Sequence, residues 1–311
     1  MSLINSKETI AMMPTEEEVF YFDLNGFIVL KGALSNKHVK DCNTKIDELL
    51  NVDPPLEHGE WIGAIHAHTY SGTEGFNLQQ IYEAGESFER LIDHPSWVEK
   101  VKHFVGGQVG FDVKHGPLFI DENFASIRGP GDAIGIHSGG HKRTKRTQFR
   151  YFNGQFFCGQ VNLLIALSDI GPGDGGTMVV PGSHKANFEH PDLRKYSMGR
   201  DGEDLPGADG MPGAEEVSLE AGDVLVFVDA IMHGSATRRN EGQRRICVFR
   251  YGASWGNFRH PYYPSDELLQ RLTPTQKQIV LPQQPMRRTP NRIPDYPDPP
   301  HAVDEGLYRG G

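Results

Sequence analysis

The spacing of apolar residues predicts helices in the front part of the chain. Residues 35–50 carry apolar side chains at helical spacing, with Ser35 at the N-cap position. The stretch TEEEVFYF has the acidic first turn of a helix start, and further helices are predicted over 76–91 and 95–104. One short strand, NGFIVLKG, lies between the first two helices. Residues 1–107 are therefore predicted to be a helical front region.

Beyond residue 107 the apolar pattern changes to short runs separated by turn residues. Short apolar runs with turn residues between them are typical of strands joined by turns. The runs are VGFDVKHGPLFI, AIGIH, CGQVNLLIALSDI, TMVVPG, EEVSL, DVLVFVDAIMH and RRICVFRYGASW. Short strands at this spacing predict an antiparallel sandwich or barrel-like fold, with its core over residues 108–255.

Two segments are too rich in glycine and proline for regular structure. RDGEDLPGADGMPG, residues 200–213, is predicted to be a long surface loop, and the tail after Pro282 is Pro-rich. We therefore predict an irregular C-terminal segment over 256–311. Because no internal repeat divides the sequence, residues 1–311 are expected to form a single domain.

Charge and composition exclude some classes of partner. The formal net charge of -10 argues against binding to nucleic acid or to an anionic membrane, because both attract basic surfaces. The N-terminus, MSLINSKETIAMMPTEEE, lacks the basic-then-apolar order of a secretion signal, and no run of about 18 apolar residues is present. We therefore expect a cytoplasmic protein.

Two histidines end apolar runs and are candidate metal ligands. His137 closes AIGIH and His233 closes VLVFVDAIMH. Strand ends that are distant in sequence can be neighbours in a β-sandwich, so both imidazoles could face one cavity; the alternative for each is an ordinary hydrogen-bonded histidine. Arg244 follows in HGSATRRNEGQRRICVF, where a strand reversal would bring its guanidinium back beside His233 to bind a carboxylate. Strand alternation would point Arg245 to the opposite face.

Three longer segments carry a resemblance to a known family. GFIVLKG, LLIALSDIGPGDGGTMVVPGSHK and GDVLVFVDAIMHGSATRRNEGQRR resemble the phytanoyl-CoA dioxygenase family of non-haem iron(II), 2-oxoglutarate-dependent oxygenases, and the likeness covers roughly residues 16–255. The resemblance implies a double-stranded β-helix, a jelly roll flanked by helices. It also implies that His137 and His233 are iron ligands and that Arg244 binds the distal carboxylate of 2-oxoglutarate.

The resemblance further implies a reaction. Iron(II) accepts imidazole and carboxylate ligands, and a facial triad leaves three positions for the bidentate co-substrate and O2. We expect oxidation of a C–H bond in a small molecule, with hydroxylation as the leading hypothesis. A catalytically silent β-helix binding protein is the alternative from a different class, because a fold does not guarantee its function.

The chain departs from the family at Gly139, where the His-x-Asp motif of the family supplies a carboxylate. One hypothesis is that chloride fills the vacated coordination position, as in related halogenases. A second is that the carboxylate has moved to Asp229, whose other interpretation is an acid that holds an imidazole in place. A third is that the site is weakened, or that His141 supplies a nitrogen instead.

The remaining candidates rest on weaker signals. Asn162 and Thr177 lie on predicted strands where the family commonly places polar groups against 2-oxoglutarate, and Ser235 shares a strand face with His233. Each could equally be an ordinary polar strand residue. The run HKRTKR, residues 141–146, is either a solvated loop or a patch that attracts an anionic substrate. GPGDGG, residues 171–176, is interpreted as a turn because it lacks the rest of a phosphate-binding loop.

Overall fold

The computed structural model describes residues 12–69, 75–106, 115–197, 207–256, 259 and 263–282. Its helices are α1 (Glu16–Asn25), α2 (Asn36–Leu50), α3 (Glu86–Glu89), α4 (Val98–Val105), α5 (Leu193–Tyr196), α6 (Asp266–Arg271) and α7 (Pro274–Val280). Its strands are β1 (Phe27–Leu30), β2 (Trp61–Ile62), β3 (Ile65–His68), β4 (Phe76–Gln79), β5 (Leu118–Arg128), β6 (Ile134–His137), β7 (Phe149–Phe152), β8 (Gln155–Cys158), β9 (Gln160–Ala166), β10 (Thr177–Val180), β11 (Glu215–Val217), β12 (Val224–Val228), β13 (Met232–Ser235) and β14 (Arg244–Ala253).

The strands form two antiparallel sheets and a separate hairpin. The larger sheet has eight strands in the order β1-β12-β9-β14-β5-β4-β3-β2, and the smaller has four in the order β11-β10-β13-β6. Strands β7 and β8 pair only with each other in the described residues. Apolar side chains of both sheets share one core, in which Val179 and Val217 of the smaller sheet pack with Phe124, Leu164 and Leu225 of the larger. The predicted jelly roll is confirmed.

Helices cover the outer face of the larger sheet. Ile46 of α2 and Phe104 of α4 belong to the same buried cluster as Val161, Leu163 and Phe249 of the sheet. Successive strand residues point to opposite faces. Because β12 is covered on both faces, its sequence, VLVFV, is apolar throughout instead of alternating.

Two predicted helix starts are confirmed by their capping geometry. Thr15 and Glu18 form a capping box at the start of α1, and the Ser35 side chain accepts a hydrogen bond from the His38 N–H at 3.2 Å. Each side chain satisfies a backbone N–H that has no partner within its helix.

Two predicted segments differ in the structure. The helix predicted over 76–91 begins instead with β4, because this stretch pairs with β5 and buries Leu78 against the sheet. Only a 3-10 turn and α3 follow it. The C-terminal segment 256–311, predicted to be irregular, contains α6 and α7, which Ser265 and Thr273 cap with their side chains. The tail beyond Pro282 and residues 200–206 of the predicted loop 200–213 lie outside the described residues.

Among the described residues, none of the helices is long and apolar enough to cross a membrane. The cytoplasmic location and the single domain stay predictions.

Candidate metal and co-substrate site

Two imidazoles meet at the edge of the smaller sheet. His137 ends β6 and His233 lies in β13, and the antiparallel register places these two residues directly opposite each other. Their ring centroids are 4.2 Å apart with an interplanar angle of 57°. The ring of Phe227 packs edge-on against His233, which is only 7% exposed. The predicted convergence of two distant histidines is therefore present in the fold.

Backbone carbonyls fix the tautomer of both rings. The Nδ1 of His137 lies 3.0 Å from the Gly135 carbonyl oxygen, and the Nδ1 of His233 lies 2.8 Å from that of Ile231. A carbonyl only accepts, so each Nδ1 carries the proton and each Nε2 keeps its lone pair. Burial lowers the pKa of both histidines, and with the nearby His137 it lowers that of His233 to about 3. Both are therefore neutral at physiological pH, as metal-binding imidazoles are.

Asp229 lies beside the imidazole pair, at the end of β12, and is 1% exposed. Its Oδ1 accepts a hydrogen bond of 3.0 Å from the Asn162 amide. Its Oδ2 forms an ion pair with Arg146 Nε at 3.3 Å but accepts no hydrogen bond. Arg250 approaches Oδ1 at 3.9 Å. The carboxylate is thus anchored on one side and has an unsatisfied oxygen on the other.

Charge keeps Asp229 ionised despite its burial. Burial by itself would raise the pKa of the carboxyl, but the positive charges of Arg146 and Arg250, together with its interaction with His233, lower it below the ordinary value. Asp229 interacts electrostatically with His137 as well. Within the described residues, however, no three His, Cys, Asp or Glu side chains are arranged as a metal cluster.

The backbone at Gly139 leaves no room for a side chain. Its φ is +112°, a conformation that side-chain-bearing residues rarely adopt, and a Cβ there would lie 2.6 Å from the His141 ring and 3.1 Å from Met232 Cε. Ser138 also has a positive φ of 65°. The His141 ring thus packs against the position where the family motif places its carboxylate, and its Nε2 lies 3.9 Å from Glu189.

A buried group of arginines lies at the far end of the larger sheet. Arg244 of β14 faces Arg128 of β5, and both are at most 4% exposed, as is Arg238. Arg244 donates to the Gly175 carbonyl, while its Nε has no acceptor in the described part of the chain. Burial, and then the charges of Arg128 and Arg238, lower the pKa of Arg244. Asp174 pairs with Arg238 at 2.8 Å and offsets only part of the positive charge of the three arginines, so the cluster is suited to bind an anion.

Two predicted polar residues lie with the arginine cluster and one does not. Ser235 and Thr177 are opposite each other on β13 and β10, and Arg128 donates to the Ser235 hydroxyl at 2.8 Å. Asn162 instead lies with Asp229, on the imidazole side. Arg245 points outward and pairs with Asp47 at 2.6 Å, as strand alternation predicts.

Arg250 and Arg128 were not identified from the sequence, and Arg146 was identified only as part of the HKRTKR run. Arg250 shares the inward face of β14 with Arg244, so strand alternation could have identified it. Arg128, at the end of β5, could have been identified from strand alternation in the same way. Arg146 belongs to the HKRTKR run, of which residues 142–145 are exposed as a solvated loop would be, whereas Arg146 turns inward to Asp229.

Comparison with known proteins gives a family match and distant relatives. The family model described as phytanoyl-CoA dioxygenase matches residues 22–246. The peroxisomal phytanoyl-CoA dioxygenase of Rattus norvegicus is 25% identical over 252 residues, which cover 78% of this chain and 69% of the rat protein. The dioxygenase cdmD of Talaromyces verruculosus is 20% identical, over 86% of this chain and 83% of its own length.

A solved structure is similar in fold and in sequence. HygX from Streptomyces hygroscopicus, crystallised with nickel and 2-oxoglutarate bound, superimposes with a TM-score of 0.62 at 26% identity, over 78% of this chain and 88% of HygX. The same protein has been crystallised with nickel, 2-oxoglutarate and hygromycin B bound, and that structure has a TM-score of 0.59.

Proposed function

Since the chain belongs to the phytanoyl-CoA dioxygenase family of iron(II)- and 2-oxoglutarate-dependent oxygenases, we propose that it oxidises a C–H bond of a small molecule at His137 and His233. The observation that carries the proposal is the pairing of two neutral imidazoles whose Nδ1 atoms both donate to carbonyls. This arrangement leaves two Nε2 lone pairs in one buried place. Imidazole nitrogen is a suitable ligand for iron(II).

Asp229 is the third metal ligand in this proposal. Its Oδ2 is buried and ionised, and Arg146 pairs with it at 3.3 Å by charge without a hydrogen bond among the described residues, so the oxygen keeps lone pairs for a metal ion. Arg146 and Asn162 would hold the carboxylate in orientation, as the outer partners of a metal ligand usually do. His141, the alternative ligand, is directed toward Glu189.

Arg244 binds the distal carboxylate of 2-oxoglutarate in this proposal. Its Nε lacks an acceptor, and it lies in a cluster where Arg128 and Arg238 add further positive charge. Ser235 and Thr177 supply hydroxyl groups at the same end of the site. Asn162 contributes next to Asp229, near the metal rather than near Arg244.

The reaction requires iron(II), which supplies O2 activation coupled to the decarboxylation of 2-oxoglutarate. In the balanced hydroxylation, substrate C–H, O2 and 2-oxoglutarate give C–OH, succinate and CO2. The chain's own part is to hold the co-substrate between Arg244 and the imidazoles and to exclude water. Water is excluded by apolar side chains between the sheets, among them Phe227 and Val179, which line the space next to His233.

Hydroxylation is favoured over chlorination by the surroundings of Gly139. The halogenase hypothesis needs room for chloride where the carboxylate of the family motif would be. His141 and Met232 already pack against that position. We therefore place hydroxylation ahead of chlorination in the proposed reaction. The attraction of an anionic substrate by the exposed part of HKRTKR stays a prediction.

The experiment that tests this function measures succinate. Full-length protein supplied with iron(II), 2-oxoglutarate and O2 should release succinate, slowly even without substrate, and His233→Ala should abolish the release. The rate should not depend on whether chloride or sulfate is the counterion. A catalytically silent binding protein would release none, and a chloride-dependent iron spectrum under anaerobic conditions would favour the halogenase.

A further inference from the structure

A second charged network lies beyond Asp229, on the side of the imidazoles away from Arg244. We call it the ionic network, and it consists of Asp121, Glu122, Arg250, Arg259 and Gln160. Arg250 Nε lies 2.9 Å from Glu122, and Arg259 Nε lies 3.2 Å from Glu122 and 3.8 Å from Asp121. Arg250 also reaches Asp229 at 3.9 Å, which joins the network to the proposed metal site.

A bulge in β5 brings the two acids of the network together. Arg250 pairs with Glu122, but the next residue of β14, Tyr251, pairs with Ile120, so Asp121 is an extra residue in the strand. Without the bulge, neighbouring residues of a strand would point to opposite faces. Bulges often redirect a side chain beside an active site. Here the bulge lets both Asp121 and Glu122 pair with Arg259.

Gln160 has an unused hydrogen-bonding group in this network. Its Nε2 donates to Asp121 Oδ2 at 2.9 Å, which fixes the orientation of the amide because the carboxylate only accepts. The Oε1 that remains is fully buried and has no donor among the residues that the structure describes. A buried polar atom of this kind is normally satisfied by protein, water or ligand. A ligand that completed Gln160 would have to bring an O–H or N–H group.

Three charged members of the network are partly exposed, whereas Asp121 and Gln160 are fully buried. The side chains of Glu122, Arg250 and Arg259 keep 17%, 19% and 27% of their exposure. A long acyl chain placed against them would remove charged groups from water without replacing their hydrogen bonds, which is unfavourable. Hydroxyl groups both donate and accept, so they can bind to the carboxylates and to the guanidinium groups alike.

We propose that the ionic network binds the substrate, and that this substrate is a hydroxyl-rich small molecule of the glycoside or polyol class, not a fatty acyl thioester. Its O–H groups donate to Gln160 Oε1 and to the carboxylate of Glu122, while Arg250 and Arg259 donate to its oxygens. This inference rests on the proposed function, because the network is assigned as the substrate side of the same site.

The test is a binding titration on the intact protein. Full-length protein with iron(II) and 2-oxoglutarate, kept anaerobic, is titrated by calorimetry with hygromycin B, with raffinose and with palmitoyl-CoA. At least one of the two glycosides should bind with a Kd of about 1 mM or tighter, and palmitoyl-CoA should not bind in the same range. Binding of palmitoyl-CoA alone, or of none of the three, overturns the proposal.

A pair of variants tests whether the network is responsible. Glu122→Gln should weaken glycoside binding by about tenfold or more, because it removes a charge-assisted hydrogen bond. Asp47→Asn is the matched control, since Asp47 pairs with Arg245 on the outer face of the same strand. Equal affinities for the two variants would contradict the assignment. Failure of 2-oxoglutarate to bind, measured before any glycoside is added, would instead contradict the proposed function.

Discussion

His137 and His233 are paired across β6 and β13, and their ring centroids lie 4.2 Å apart. The sheet register itself therefore sets the distance between the two imidazoles, and two backbone carbonyls set their tautomers. Such a site is organised before any metal binds, because its ligands are positioned by strands and not by a mobile loop.

Replacing Asp229 should weaken metal binding. Asp229→Asn removes the negative charge that would complete a ligand set with the two neutral imidazoles. We therefore expect a decrease of about 10 to 100-fold in iron(II) affinity, measured by anaerobic calorimetry. Asp174→Asn is the control, because Asp174 is paired with Arg238 at the other end of the site. Equal iron affinities in the wild type and in Asp229→Asn would exclude Asp229 as a metal ligand.

Replacing Arg244 should affect the co-substrate and not the metal. Arg244→Gln removes a guanidinium that would pair with a carboxylate in a buried place, so KM for 2-oxoglutarate should rise by about 30-fold or more, a loss of about 2 kcal/mol or more. The affinity for iron(II) should stay the same. Arg245→Gln changes the neighbouring outward residue and should leave both quantities unaltered. A rise in KM of similar size in both variants would argue against the assignment.

Restoring the carboxylate of the family motif should not repair the site. In Gly139→Asp the new Cβ would overlap the His141 ring and require a positive φ, so we expect a loss of about 1–3 kcal/mol in the free energy of unfolding. Gly139→Ala should lose a similar amount, since both variants carry the Cβ. Urea denaturation measures the effect. A Gly139→Asp variant as stable as the wild type and with tighter iron binding would contradict this view.

Metal affinity should tolerate mild acid. A histidine of ordinary pKa is mostly charged at about pH 6 and then repels a metal ion, whereas burial and the neighbouring ring hold the pKa of His233 at about 3. Protons should therefore compete with the metal for the imidazoles only at a pH well below the ordinary pKa of histidine. Cobalt(II), which is stable in air, should bind with nearly the same affinity at about pH 7.5 and about pH 6. A tenfold decrease over that interval would show that the imidazoles titrate normally.

The convergence of His137 and His233 could be predicted from the sequence, because both histidines close apolar runs, and alternation separated Arg244 from Arg245. The prediction that His233 ends a strand was wrong, because β12 stops at Val228 and His233 lies in β13, a separate strand of the smaller sheet. Arg250 could have been found by the same alternation. These signals are local, and they need only the period of the strand.

What the sequence could not reveal depends on contacts between distant segments. The pairing of Arg146 with Asp229 joins a loop to the end of β12, and no spacing in the sequence indicates it. Residues 76–79 form a strand because β5 lies beside them. Helices α6 and α7 were not predicted, because the many prolines of the tail outweighed the helix-capping signals of Ser265 and Thr273.

The most direct test of the metal site is an anomalous-scattering map at the iron edge from crystals soaked anaerobically with iron(II) and 2-oxoglutarate. We predict one peak within coordination distance of His137 Nε2, His233 Nε2 and an oxygen of Asp229, with 2-oxoglutarate extending from it to Arg244. A peak elsewhere, or no peak with both imidazoles in place, would contradict the account.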